Sequence, residues 1–138
     1  MDSSSLADIQ SSFARDEFSY DPTIYAEYVR AILKIGSPPD DEAEAFFELL
    51  ERVLDMLWAT GSPQLNPRDR DAILALLRSH WNPGLPAHRR ATMVTIAGYL
   101  LPHDGTRQWL LEEASKTTGE LADYLRRIAD AKRDGPVT

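Results

Sequence analysis

Residues 40–61 decide the fold class, and they read DDEAEAFFELLERVLDMLWATG. The apolar side chains recur in steps of three and four, which is the spacing of one face of an α-helix. Acidic side chains in the first turn complement the helix dipole, and Gly61 suits the left-handed stop at the end. The pattern predicts a helix about 30 Å long, capped by Asp40 or Asp41. Its core face comprises Ala43, Phe46, Phe47, Leu50, Val53, Leu54, Leu57 and Trp58.

The same pattern continues on both sides of this helix, between clusters of Pro and Gly. Leu and Ala supply 33 residues and Val and Ile only 11, a ratio that favours helices over strands. The sequence therefore predicts an all-α protein of six to seven helices, packed as a short HEAT-like helical-repeat array or as an irregular antiparallel bundle. In the repeat array, residues 40–81 and 86–118 would each form a two-helix unit.

Pro, Gly and capping side chains place the other helix ends. Serines before Leu6 suit the start of a first helix, and Asp21-Pro22 and Gly36 suit the start and end of the second. Further starts are expected at Asn66-Pro67, Pro86 and Asp104, a stop at Pro102, and a break at Thr117-Thr118-Gly119.

Length and composition predict one domain. A chain of 138 residues with a 43% hydrophobic fraction can form a stable core without disulfides or bound metals. We therefore expect residues 1–138 to form a single helical domain. Residues 1–20 are expected to be loosely packed and residues 134–138 to form a frayed tail.

Several classes of chemistry are absent from the sequence. There is no Cys, which excludes disulfides, thiolate metal sites and cysteine nucleophiles. His80, His88 and His103 have no spacing typical of a metal site, and no glycine-rich phosphate loop or nucleophile motif occurs. We therefore expect no cofactor, no metal, no catalytic residue and no enzymatic activity. The longest apolar run is six residues and the first residues lack a signal-peptide pattern, so we also expect a cytoplasmic protein that does not bind membranes.

Charge is divided unevenly along the chain. Residues 1–60 contain 13 acidic and 4 basic side chains, whereas residues 61–138 contain 9 and 11. Glu44, Glu48, Glu51 and Asp55 follow one another in steps of four, three and four, so they share one face of the third helix. We call these four residues the acidic stripe. No Lys lies between Asp40 and Thr60 to offset them. The acidic stripe is therefore the candidate surface for a basic protein partner, while nucleic acid is a poor partner for this charge.

Three other interpretations remain open from the residues alone. In the first interpretation, the acidic stripe is an ordinary solvent-exposed face of the helix. In the second, the chain is a helical-repeat scaffold or regulatory module that binds a peptide or helix in an apolar groove. A small helical enzyme is the third and least favoured interpretation. Trp58, Trp81 and Trp109 are expected to fill junctions near helix ends. The pairs Arg89-Arg90 and Arg126-Arg127 are expected to be solvated or to pair with the acidic helix.

One segment resembles a known family. The residues from Ile73 to Asn82 read ILALLRSHWN, and after a Pro-bounded helix residues 99–104 read YLLPHD. This arrangement, over about a quarter of the chain, resembles bacterial HEAT-like helical immunity proteins, which neutralise polymorphic toxins. It departs from that family at Pro83-Gly84-Leu85-Pro86, which stands where the family has His-Glu. The resemblance implies a non-catalytic toxin inhibitor and assigns no individual residue.

Overall fold

The computed structural model describes residues 5–61, 65–101 and 103–131. Within these ranges seven α-helices hold 80% of the residues, and no strand occurs. The all-α prediction is confirmed. The helices are α1 (Leu6–Asp16), α2 (Pro22–Ile35), α3 (Asp40–Ala59), α4 (Pro67–His80), α5 (Ala87–Leu100), α6 (Asp104–Ser115) and α7 (Gly119–Ala131).

Packing divides the chain into two compact units. Unit 1 is Met1–Leu76 and unit 2 is Leu77–Thr138, so the division falls within α4. In unit 1, α3 packs mainly on α2, and in unit 2, α6 packs mainly on α7. The expected two-helix units, residues 40–81 and 86–118, instead pair α3 with α4 and α5 with α6. These pairs are not the closest packing found. The single domain over 1–138 stays a prediction.

Helix α1 is anchored in unit 1 at its start and along one face. The Ser5 hydroxyl accepts a hydrogen bond from the Asp8 N–H at 3.2 Å, and the Asp8 carboxylate accepts one from the Ser5 N–H at 3.3 Å. This is a capping box, which satisfies two otherwise unpaired donors. Leu6, Ile9 and Phe13 are buried. Helix α1 thus buries one face, while residues 1–4 of the segment expected to be loosely packed (1–20) lie outside the described residues.

Most helix ends lie where the sequence predicts them. Asp21 caps α2 by accepting from the Thr23 N–H at 2.9 Å, Pro22 is the first helical residue, and Gly36 ends the helix with φ +79°. Gly61, with φ +74°, follows the end of α3. Pro102 and residues 134–138 lie outside the described residues.

Two predicted caps are wrong by one or two residues. Pro39 is the N-cap of α3 and has no side-chain donor or acceptor to offer, while Asp40 and Asp41 lie inside the first turn. His103 caps α6 through Nδ1, which accepts from the Thr106 N–H at 3.3 Å, and Asp104 is the first helical residue. A carboxylate inside the first turn still stabilises the helix through its dipole, which is why the sequence pattern did not separate the two positions.

Aromatic and small residues pack closely in unit 2. The Trp81 and Trp109 rings meet edge to face with centroids 5.8 Å apart. Trp81 directly follows α4, as expected, but Trp109 lies in the middle of α6, so its expected position near a helix end is wrong. A methyl group added at Gly98 of α5 would lie 3.7 Å from Ile128 Cγ2 of α7, which shows how closely these helices approach.

Among the helices of the described ranges, none is both long enough and apolar enough to cross a membrane.

Candidate protein-binding surface

The acidic stripe occupies the part of α3 that the core leaves uncovered. Nine of the twenty residues of α3 are buried, and they include every predicted core position except Trp58, which is half-buried. Glu44 and Asp55 are exposed, whereas Glu48 and Glu51 are half-buried. The stripe therefore presents its two outer carboxylates most fully to solvent.

Arg52 lies beside the stripe, but its guanidinium is directed to another helix. Arg52 Nη2 donates to both carboxylate oxygens of Glu17, at 2.6 Å and 2.5 Å. Hydrogen bonding to Glu17 raises the pKa of Arg52, against an opposing effect of desolvation. Glu17 is 35 residues away in sequence, so spacing along α3 did not reveal this pair. Because Arg52 is paired with Glu17, it offsets the stripe less than its position in the sequence suggests.

The Glu17–Arg52 pair connects the stripe with the end of α1. A hollow of about 180 Å³ lies between α1 and α3, and Glu17, Glu48 and Arg52 are all part of its wall. Phe13 and Leu49 form its apolar floor, since both are buried. The middle of the acidic stripe is thus continuous with the connection between α1 and α2.

That connection carries two exposed aromatic side chains. We call Glu17, Phe18, Ser19 and Tyr20 the aromatic loop. Phe18 is 70% exposed and Tyr20 is 60% exposed. Sequence reasoning did not single them out, although a signal existed: both lie between the first and second predicted helices and belong to neither apolar face.

The buried Tyr25 side chain fixes the aromatic loop. Its hydroxyl donates to the Glu17 carbonyl oxygen at 2.5 Å and accepts from the Tyr20 N–H at 2.9 Å. Tyr20 has φ +56°, a left-handed conformation that is unfavourable for a residue with a large side chain. The fully buried Tyr25 side chain therefore makes a hydrogen bond at each end of the loop, one of them with the residue in the left-handed conformation.

Tyr28 makes a second polar contact at the end of α1. Its hydroxyl donates to Asp16 Oδ2 at 2.7 Å. Burial, together with the neighbouring Asp16 carboxylate, raises the pKa of Tyr28 to about 12. Each of these two effects disfavours the phenolate, the first by desolvation and the second by hydrogen bonding and repulsion.

Unit 2 contains a different kind of concavity. A groove of about 480 Å³ lies between α5 and α7, and we call it the α5–α7 groove. Its lining combines apolar side chains with four charged ones, which are Arg90, Glu120, Asp123 and Arg127. Arg127 lies over the Tyr124 ring, 6.0 Å from its centroid. The apolar lining residues are Ala87, Ala91, Leu121 and Tyr124.

The three histidines lie at or near helix ends. His80 ends α4, as expected, His88 is exposed in the first turn of α5, and His103 is the cap of α6. Arg90 donates to the Pro83 carbonyl oxygen at 2.9 Å, and Arg126 lies 3.6 Å from Asp123.

The two units differ sharply in charge. Unit 1 contains fifteen Asp and Glu against six Lys and Arg, a net charge of −9, and unit 2 contains seven against nine, a net charge of +2. The aromatic loop and the acidic stripe both belong to unit 1. Charge and exposed aromatic area therefore occur in the same unit.

Comparison with family models, curated proteins and solved structures finds no match to this chain. The resemblance to helical immunity proteins thus stays a prediction, and the functional argument depends on the surfaces themselves.

Proposed function

We propose that this protein is a non-catalytic binding domain for a basic protein, with the acidic stripe as its contact surface. In its sharpest form, the domain is an immunity-type inhibitor that binds and neutralises a basic toxin, such as a nuclease, in the cytoplasm. The observation that carries the proposal is the net charge of −9 on unit 1, combined with the exposed carboxylates of Glu44 and Asp55.

The physical reason is electrostatic steering. A surface with one dominant sign of charge attracts a complementary partner over distances beyond direct contact, and it can raise association rates about 10- to 1,000-fold. Carboxylates can also occupy a partner's site for phosphate groups. An inhibitor of a basic nuclease needs this surface and no catalytic residue.

Capture from the source organism, with matched baits, tests the proposal. The reversal bait carries Glu44→Lys and Asp55→Lys, and the control bait carries Glu112→Lys and Asp130→Lys in unit 2. All four positions are exposed and both baits change the net charge by the same amount. We expect one basic protein to bind the wild-type and control baits and to be lost from the reversal bait.

The captured protein then decides the sharper form. If it is a toxin, stoichiometric addition of the wild-type domain should abolish its activity. Equal capture by all three baits, or capture of acidic proteins alone, would contradict the assignment of the acidic stripe.

The α5–α7 groove supports a second candidate function, in which the domain is a scaffold that binds a peptide or helix. Its apolar lining residues are the feature that favours this alternative. Ala91 is exposed in the groove, so Ala91→Trp would fill it without removing a core side chain. Groove binding predicts loss of the partner with Ala91→Trp and little dependence on salt, whereas binding by the acidic stripe predicts the opposite on both points.

A further inference from the structure

We infer that the aromatic loop is a second part of the binding surface and that Phe18 and Tyr20 receive arginine side chains of the partner. This inference rests on the proposed function, since it assumes a basic protein partner. It adds the side-chain chemistry of the contact and a location that the acidic stripe alone does not give.

Exposure is the first observation. Single exposed apolar residues are common on protein surfaces, but large aromatic side chains at 60% and 70% exposure, two residues apart, form a local patch. Aromatic residues are enriched among those that dominate binding energy at interfaces. Unit 1 therefore presents aromatic area that its own core does not use.

Backbone conformation is the second observation. Tyr20 keeps a large side chain at φ +56°, where Gly or Asn would fit with less cost. The buried Tyr25 hydroxyl compensates by binding both ends of the loop, at Glu17 and at Tyr20. A simple turn requires neither the side chain nor the buried hydroxyl, so the arrangement favours a role for the exposed Tyr20 ring.

Charge identifies the occupant. Asp16, Glu17 and Asp21 are neighbours of the two aromatic residues in the sequence, and the Glu17 carboxylate pairs with Arg52 of α3, the helix that carries the acidic stripe. A cationic group attracted to the net negative charge of unit 1 would find the Phe18 and Tyr20 side chains exposed for contact. Guanidinium groups stack on aromatic faces better than ammonium groups do and are less strongly hydrated. The combination therefore fits an arginine-rich segment of a protein.

A deca-arginine peptide is the probe for this inference, and deca-lysine is the comparison. Amide chemical shifts of the isotopically labelled chain, titrated at low salt, locate the bound peptide, and the same titration gives its affinity. We expect shifts in the aromatic loop as well as along the acidic stripe, and tighter binding of deca-arginine than of deca-lysine.

Two double variants distinguish the contribution of the aromatic ring faces to deca-arginine binding from that of apolar volume. Phe18→Leu with Tyr20→Leu keeps apolar volume but removes both π-faces, so deca-arginine binding should weaken about five- to thirtyfold. Phe18→Trp with Tyr20→Trp retains the faces and should bind at least as tightly as wild type. Tyr20→Asn keeps a residue that tolerates the left-handed conformation, so it should weaken binding while the unfolding midpoint holds or rises. This variant keeps the test valid if the Leu variants fold poorly.

The outcomes distinguish this inference from the proposed function. Wild-type affinity in the Leu variant, or shifts confined to the acidic stripe, would overturn the arginine contact and leave the stripe as the binding surface. Shifts confined to the aromatic loop, with unchanged affinity in Glu44→Gln and Asp55→Gln, would support the loop and contradict the stripe. Absence of deca-arginine binding to the wild-type chain would overturn the inference.

Discussion

The two units differ in the net charge and the arrangement of charged side chains on their surfaces. In unit 2, opposite charges meet along and between helices: Lys116 lies 3.0 Å from Glu113, and Arg107 lies 3.5 Å from Asp130. Unit 1 also has pairs between helices, Arg30 with Asp69 and Arg52 with Glu17, but it places four carboxylates along one face of α3. Unit 2 has a net charge of only +2, whereas unit 1 has a net charge of −9, which the proposed basic partner would offset.

Aromatic residues show the same contrast. In unit 2, Trp81 and Trp109 pack on each other, and Trp109 is buried. In unit 1, Phe46 and Phe47 fill the core under α3, while Phe18 and Tyr20 remain outside it. The lesson is that apolar residue content alone does not reveal a binding surface, because the same residue class serves the core in one place and solvent contact in another.

The largest effect should come from removing the core beneath the acidic stripe. Phe46 is fully buried, so Phe46→Ala removes a large apolar side chain and leaves a cavity. We expect it to lower the free energy of unfolding by about 3–5 kcal/mol. Urea denaturation measures this change. A loss below about 1 kcal/mol would mean that Phe46 does not support the helix that carries the stripe.

A smaller loss is expected from Tyr25→Phe, which keeps the ring and removes only the hydroxyl that fixes the aromatic loop. The Tyr20 N–H and the Glu17 carbonyl each lose a hydrogen-bond partner. We expect a destabilisation of about 1–3 kcal/mol, with faster hydrogen exchange at the Tyr20 amide. Exchange at amides of α6 serves as the internal control. Unchanged protection at Tyr20 would show that the hydroxyl does not hold the loop.

High pH should weaken unit 1 through Tyr28. Its pKa is raised in the folded protein from the usual 10.0 to about 12, so the folded state holds this proton more tightly than the unfolded chain does. The resulting stabilisation is fully present below pH 10 and is lost as pH rises to about 12. Over that interval, the wild-type free energy of unfolding should fall more steeply than that of Tyr28→Phe. Parallel curves for the two proteins would contradict this.

The smallest effects concern two glycines of unit 2. A Cβ at Gly98 would make an ordinary contact at 3.7 Å, so Gly98→Ala should stabilise α5 by about 0.5–1 kcal/mol. Gly119 has φ +74° at the start of α7, so the matched Gly119→Ala should destabilise the protein despite the open space around it. Thermal unfolding of the pair should give shifts of opposite sign. Shifts of the same sign would contradict the packing of α5 on α7 or the backbone conformation at Gly119.

Local chemistry explains what was predictable from the sequence. Asp21-Pro22, Gly36 and Gly61 act through their own backbone or their nearest neighbours, so the helix boundaries that depend on them were correct. The wide apolar face of α3 was predictable for the same reason, because its periodicity is local.

Long-range pairing explains what was missed. The contact of Arg52 with Glu17 joins residues on different helices, and the half-burial of Glu48 depends on the hollow between α1 and α3. The role of Tyr25 is similar: its ring belongs to a predictable apolar face, but its hydroxyl meets a loop whose path depends on tertiary packing. The acidic stripe was therefore readable from spacing, whereas its continuation into the aromatic loop was not.

The association rate of the captured basic partner is the most direct test of the account. It should be measured at about 0.01 M salt, where the Debye length is about 30 Å and charges act over long distances. It should be measured again at about 1 M salt, where the Debye length is about 3 Å. For Glu44→Lys with Asp55→Lys, we predict association at least about tenfold slower than wild type at low salt and a much smaller difference at high salt. Glu112→Lys with Asp130→Lys should stay close to wild type under both conditions. Equal rates for wild type and the α3 variant at low salt would contradict the claim that the acidic stripe binds the partner.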